Sequence, residues 1–179
     1  SKTQYAAFGG IYGTATGNSR IIVRNGLVNS GDVIFEGTTE AEFVDDTTLA
    51  NRKFVELGGI FGHVSSTIKF ANEANPTWTG NVINTGTIKF AGKAASGVRA
   101  GGIAGYMQGN SPVFSEGQLI NIGEVVVDGT FDQTLSAYNG AGGIAGGSAA
   151  TIDNAVAHCS IRSPFTNIGM ITASPRSAT

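Results

Sequence analysis

Where apolar and polar residues alternate in this chain, they do so with a period of two. Ile68 and Phe70 flank Lys69, and Ile88 and Phe90 flank Lys89, so each apolar pair faces one way and its lysine the other. That is the pattern of short strands with one face toward a core and one toward solvent.

The strands belong to a repeat. Gly-Gly-Ile-x-Gly occurs four times, as Gly9-Gly10-Ile11-Tyr12-Gly13, Gly58-Gly59-Ile60-Phe61-Gly62, Gly101-Gly102-Ile103-Ala104-Gly105 and Gly142-Gly143-Ile144-Ala145-Gly146. A second pattern, Asn-x-Gly-x-(Val/Ile)-x-apolar, follows each copy at 29–35, 84–90, 121–127 and 167–173. Between them lies a weaker apolar pair, seen as Ile21/Val23, Ile68/Phe70 and a single Val113, with Ile152 opening the fourth. The units run over 9–37, 58–92, 101–129 and 142–173, each roughly thirty residues. The intervening stretches 38–57, 93–100 and 130–141 vary and read as insertions at one corner.

A unit of three short strands cannot bury its own apolar face, whereas parallel stacking of like units places Ile on Ile along a common interior. The expectation is an all-β fold: a parallel β-solenoid, or β-helix, of about four three-stranded repeats with corner insertions, forming one domain over 1–179. Counting each of the eight motif anchors as its own rung of about 22 residues is an alternative. An antiparallel β-sandwich is another.

The repeated glycines Gly10, Gly59, Gly102 and Gly143 suit corners that need positive φ or close backbone approach, with Ile11, Ile60, Ile103 and Ile144 forming an interior column. Asn29, Asn84, Asn121 and Asn167 each precede a glycine by two positions, where Asn bonds to nearby backbone and, when stacked, forms an amide ladder. No Lys-Ser/Thr ending or dinucleotide fingerprint accompanies the glycines, so nucleotide binding is rejected.

Composition narrows the function classes. Only 13% of residues are charged while 27 are glycine, which excludes a helical bundle. The net charge is −2 and the few basic residues are scattered rather than gathered into a stripe, so no nucleic-acid partner is expected. No apolar run approaches the roughly 20 residues of a membrane span. Cys159 is the single cysteine, so neither an internal disulfide nor a CxxC zinc site can form, and it reads as a small buried filler. The opening Ser1-Lys2-Thr3 reads as a mature or excised piece of a larger exported protein.

Gly102-Ile103-Ala104-Gly105-Tyr106, followed by Gly109-Asn110, resembles the GLUG motif, a Gly-(Leu/Ile)-x-Gly-Tyr repeat of large secreted and surface-anchored bacterial proteins. The other copies depart from it at the tyrosine slot, which holds Thr14, His63 and Gly147. The resemblance implies an adhesin-like stalk or accessory region of a bacterial exported protein, and it brings no catalytic residues to carry over.

Candidate chemistry is sparse. Glu40, Glu42, Asp45 and Asp46 cluster without the spacing of a calcium loop, and Asp128 and Asp132 are a carboxylate pair flanking a turn. His63 and His158 read as surface or turn residues with no triad partner. Trp78, Tyr138, Phe114 and Tyr106 sit in or beside loops, where aromatic faces suit sugars and protein partners. The expectation is therefore a non-catalytic extracellular structural or adhesive module with no metal or cofactor; a passive stalk or spacer and a β-helix polysaccharide-degrading enzyme are the alternatives. Phe43, Asp45, Asp46, Trp78 and Tyr138 are its ligand-contacting candidates, for a glycan or host surface protein. End-to-end self-association through open strand edges is a further expected partner mode.

Overall fold

A computed structural model describes residues 5–15, 21, 23, 25–39, 54–64, 80–108, 117–131, 139–150, 152 and 154–173. Among them there is no helix, and every strand pairing is parallel. The strands are β1 (Tyr5–Gly9), β2 (Tyr12–Ala15), β3 (Leu27–Asn29), β4 (Val33–Phe35) and β5 (Thr38–Thr39) around the first motif copy. β6 (Phe54–Gly58), β7 (Phe61–Val64), β8 (Val82–Asn84), β9 (Ile88–Phe90) and β10 (Lys93–Ala94) surround the second. β11 (Gly97–Gly101), β12 (Ala104–Met107), β13 (Leu119–Asn121) and β14 (Val125–Val127) follow. After them come β15 (Gly140–Gly142), β16 (Ala145–Ser148), β17 (Ala155–Ala157), β18 (Ile161–Arg162) and β19 (Ile168–Gly169).

Each strand pairs with its equivalents one motif copy earlier and later. Sheet I runs β1-β6-β11-β15-β19, sheet II β16-β12-β7-β2, sheet III β17-β13-β8-β3 and sheet IV β18-β14-β9-β4, with a β10-β5 ribbon beside them. This arrangement is consistent with a β-helix or solenoid.

Two hydrophobic cores result. Ile60, Phe61, Val64, Ile103 and Met107 from the sheet II side meet Val82 and Leu119 of sheet III in one core. Val55, Leu57, Val98 and Ala100 of sheet I meet Ile88, Phe90, Val125 and Val127 of sheet IV in the other. Like residues stack on like: the Phe35 and Phe90 rings lie 5.6 Å apart and 3° from parallel, and Tyr12 stacks on Phe61 at 5.4 Å. Ile60, Ile103 and Ile144 form a fully buried column, and Ile11, at its open end, is 39% exposed.

Gly-Gly-Ile is a corner between two strands, one of sheet I and one of sheet II, rather than a strand of its own. The strand before the corner lies in the stretches expected to be insertions: β6, the 93–100 segment with β10 and most of β11, and β15 are all paired there. The weak central element is not a strand where it is described, at Ile21, Val23 and Ile152; Ile68, Phe70 and Val113 lie outside the described residues.

The motif glycines are required by proximity and not by positive φ, which among the described glycines only Gly26 adopts. A Cβ on Gly59 would lie 2.3 Å from Asn84 Cγ and 2.3 Å from the Gly102 carbonyl oxygen; one on Gly102 would lie 2.1 Å from Asn121 Nδ2. In the first three copies the second glycine of the corner thus abuts the asparagine of its own copy, and in the fourth Gly143 abuts Ala157. Those asparagines form the expected ladder over three copies. Asn29 Nδ2 donates to Asn84 Oδ1 at 2.8 Å, and Asn84 Nδ2 donates to Asn121 Oδ1 at 2.9 Å. Each Nδ2 also donates to the carbonyl of the glycine two residues on.

Asn167 does not belong to the ladder. The residue in register with Asn121 is Ala157, and Asn167 leads into β19, donating from Nδ2 to the Asn139 carbonyl. Gly169-Met170-Ile171-Thr172 instead continues the corner column, with Gly143 N–H donating to Gly169 O and Ile144 N–H to Ile171 O.

Gly59→Ala should therefore destabilise the protein by several kcal/mol in denaturant melts, because backbone and a buried amide must both move. Gly31→Ala, whose Cβ would meet Asn29 Oδ1 at an ordinary 3.8 Å, should shift stability by no more than about 1 kcal/mol. Asn84→Ala should cost on the order of 3 kcal/mol, since two neighbouring amides lose partners in a dry interior.

Candidate functional site

Sheets I and II lie back to back, and the seam between them holds the main cluster of ionisable groups among the described residues. In β6, Val55 and Leu57 face a core, so the alternating Glu56 faces the seam. In β7 the alternation breaks: Phe61 and Val64 both face the other core, leaving Gly62 and His63 for the seam. β12 repeats this, with Ala104 and Met107 in the core and Gly105 and Tyr106 in the seam.

Near the corner the seam is closed by glycine. A Cβ on Gly105 would lie 2.6 Å from Leu57 N, and one on Gly146 would lie 2.4 Å from Ala100 N, so backbone meets backbone there. Farther out the gap accommodates side chains. Glu56 is 1% exposed; its Oε2 lies 2.6 Å from His63 Nδ1, and its Oε1 accepts from the Arg99 guanidinium at 2.9 Å. Arg99, in register with Glu56, stacks between the Phe54 ring at 3.9 Å and the Tyr106 ring at 4.0 Å. Tyr106 pairs in register with His63. Small residues hold the same slots on either side: Ala7 and Thr14 before, Gly140 and Gly147 after.

The tyrosine slot of the repeat is thus a seam position, and His63 is buried at 4% exposure instead of lying on the surface. A general acid or base must reach a reacting atom. Here both carboxylate oxygens are engaged inside the protein, so the geometry suits fixing the two sheets in register. A buried pair of this kind adds little net stability over apolar packing but is costly to break.

Sequence reasoning missed Glu56 and Arg99 because their strands were read as insertions. Their signal is positional: each stands two residues before the first glycine of its copy, with opposite charge in adjacent copies.

A second feature is an open depression of about 470 Å³ lined by Ile122, Glu124, Ala157, His158, Cys159, Ser160 and Met170. Ala157 and Cys159 stand where the preceding copy has Asn121 and Gly123. Burial pushes the Cys159 thiol above its ordinary pKa, and a hydrogen bond with the Asn121 side chain opposes this in part. His158 is exposed.

Phe43, Asp45, Asp46, Trp78 and Tyr138 lie outside the described residues, as do Glu40, Glu42, Phe114 and Asp132. In chain order Phe43, Asp45 and Asp46 fall between β5 and β6, and Tyr138 between β14 and β15, so both stretches lead into sheet I; Trp78 falls between β7 and β8, which join sheet II to sheet III. Asp128 is exposed and pairs with Arg162 at 3.0 Å. Among the described residues no group of three or more His, Cys, Asp or Glu could hold a metal, and no helix is long and apolar enough to cross a membrane. No protein family, curated protein or solved structure matches the chain.

Glu56→Ala should cost about 3–5 kcal/mol by leaving His63 and Arg99 around an empty site, whereas changing Glu56, His63 and Arg99 together to leucine should restore much of that loss. Chemical denaturation of the single and triple variants measures both. For Cys159, the raised pKa keeps the thiol protonated, so iodoacetamide should react with the native protein more slowly than with the unfolded chain at pH 8, and the rate should rise with pH beyond the range of a free cysteine.

Proposed function

We propose that this chain is a parallel β-solenoid of four repeats with a fifth begun at β19, serving as a non-catalytic structural or adhesive module of a bacterial secreted or surface protein. At about 4.8 Å per rung, such a body stands on the order of 20 Å tall. The observation that carries this reading is that the buried polar residues of the regular strands are spent internally: the repeated Asn29, Asn84 and Asn121 on one another, and Glu56, His63 and Arg99 on the seam.

Contact with a glycan or host protein then falls to the segments that join the strands, residues 40–53 and 132–138, which carry Phe43, Asp45, Asp46 and Tyr138. Trp78, in 65–79, is a further contact candidate on the other side of the strand order.

Replacing residues 40–53 by a short Gly-Ser turn, and keeping Phe54 and Val55 because both are buried in β6, should leave the thermal melt nearly unchanged. It should abolish binding to immobilised host glycans or cells. Binding that survives the deletion refutes the loop assignment, and a full-length protein that never adheres favours a passive spacer.

A further inference from the structure

The hydrogen bonds across the Gly-Gly-Ile corner all run in one direction. Ile11 N–H donates to Ile60 O, Ile60 N–H to Ile103 O, Ile103 N–H to Ile144 O and Ile144 N–H to Ile171 O. The asparagine ladder runs the same way, each Nδ2 donating toward the later copy. At the first copy this leaves acceptors only: among the described residues no donor reaches the carbonyls of Gly10 and Ile11 or the Oδ1 of Asn29. Around these oxygens Phe8, Ile11 and Tyr12 are 39–40% exposed, while their register partners Leu57, Ile60 and Phe61 are at most 1% exposed.

The two ends differ in kind. Where Gly10, Gly59, Gly102 and Gly143 stand in the earlier copies, the last corner has Met170. A Cβ on Gly10, Gly59, Gly102 or Gly143 would lie 2.1–2.4 Å from the carbonyl oxygen of the next copy. Met170 therefore blocks a further corner from stacking beyond it in the same geometry.

We infer that the edge formed by β1, the first corner and β2 is a one-ended docking surface for a strand-Gly-Gly-apolar-strand segment. Such a segment supplies the missing N–H donors, extends the ladder of sheets I and II, and covers Phe8, Ile11 and Tyr12. A second copy of this chain does not fit. Its last corner presents Met170 to the Gly10 carbonyl, and its first corner would set carbonyls against carbonyls. The inference rests on the stacking geometry and is independent of the adhesive role.

The test uses the whole chain and a fluorescent synthetic peptide with the sequence of residues 54–64, which holds the equivalent position beneath β1 and β2. Fluorescence anisotropy should show saturable one-to-one binding. The same peptide carrying Gly59→Met should lose it, although it is more apolar. Protein with Ile11→Lys should also lose it while keeping its thermal melt, because Ile11 sits at an exposed edge. Three results would overturn the proposal: no saturable binding of the parent peptide, equal binding of the Gly59→Met peptide or by the Ile11→Lys protein, or filament formation by the wild-type chain alone.

Discussion

The contact on which the fold depends is that between the glycine corner and the asparagine ladder. Each is possible only because of the other. The second glycine of a corner has no Cβ because the amide of its own copy occupies that space, 2.3 Å from where a Cβ would sit at Gly59. The amide in turn is fully buried at Asn84 and Asn121; Asn84 bonds to the asparagines of both neighbouring copies, and Asn121 accepts from Asn84 and donates to the Gly123 carbonyl. This pins sheets I and II, which meet at the corner, to sheets III and IV, which meet at the asparagine. Two separate cores are thereby held in one register, and a slip of one residue at either corner would set a side chain against a backbone carbonyl.

The seam between sheets I and II extends the same logic outward. Where the sheets touch, Gly62, Gly105 and Gly146 allow backbone contact; where they part, Glu56, His63, Arg99 and Tyr106 fill the gap with an ion-paired, ring-stacked cluster. Charged groups buried in this way specify an arrangement more than they strengthen it. The consequence is local: Glu56, His63 and Arg99 of the regular strands are turned inward and engaged with one another.

Much of this was legible in the residues. The parallel stacking, the isoleucine column and the ladder through Asn29, Asn84 and Asn121 followed from motif spacing, because stacked rungs force equal residues into equal environments. What was not legible has physical causes. β6 and β11 share few side chains, as Phe54-Val55-Glu56-Leu57 and Gly97-Val98-Arg99-Ala100 show. They are alike only in alternation, so they passed for insertions. His63 looked like a surface residue because the break in alternation after Phe61 cannot be seen without the partner strand. Asn167 carried the right spacing in the wrong copy: at the end of the stack the ladder had already stopped at Ala157, and Asn-x-Gly there serves a different corner. The candidate contact residues Phe43, Asp45, Asp46, Trp78 and Tyr138 rest on sequence alone.

Hydrogen exchange of the asparagine side chains, followed by NMR, tests the corner-ladder lock most directly. If the ladder and the corner open only together, the Nδ2 protons of Asn84 and Asn121 should exchange as slowly as the backbone amides of Ile60 and Ile103, and all should share one dependence on denaturant. Side-chain amides that exchange at the rate of an exposed asparagine, while Ile60 and Ile103 remain protected, would contradict the account.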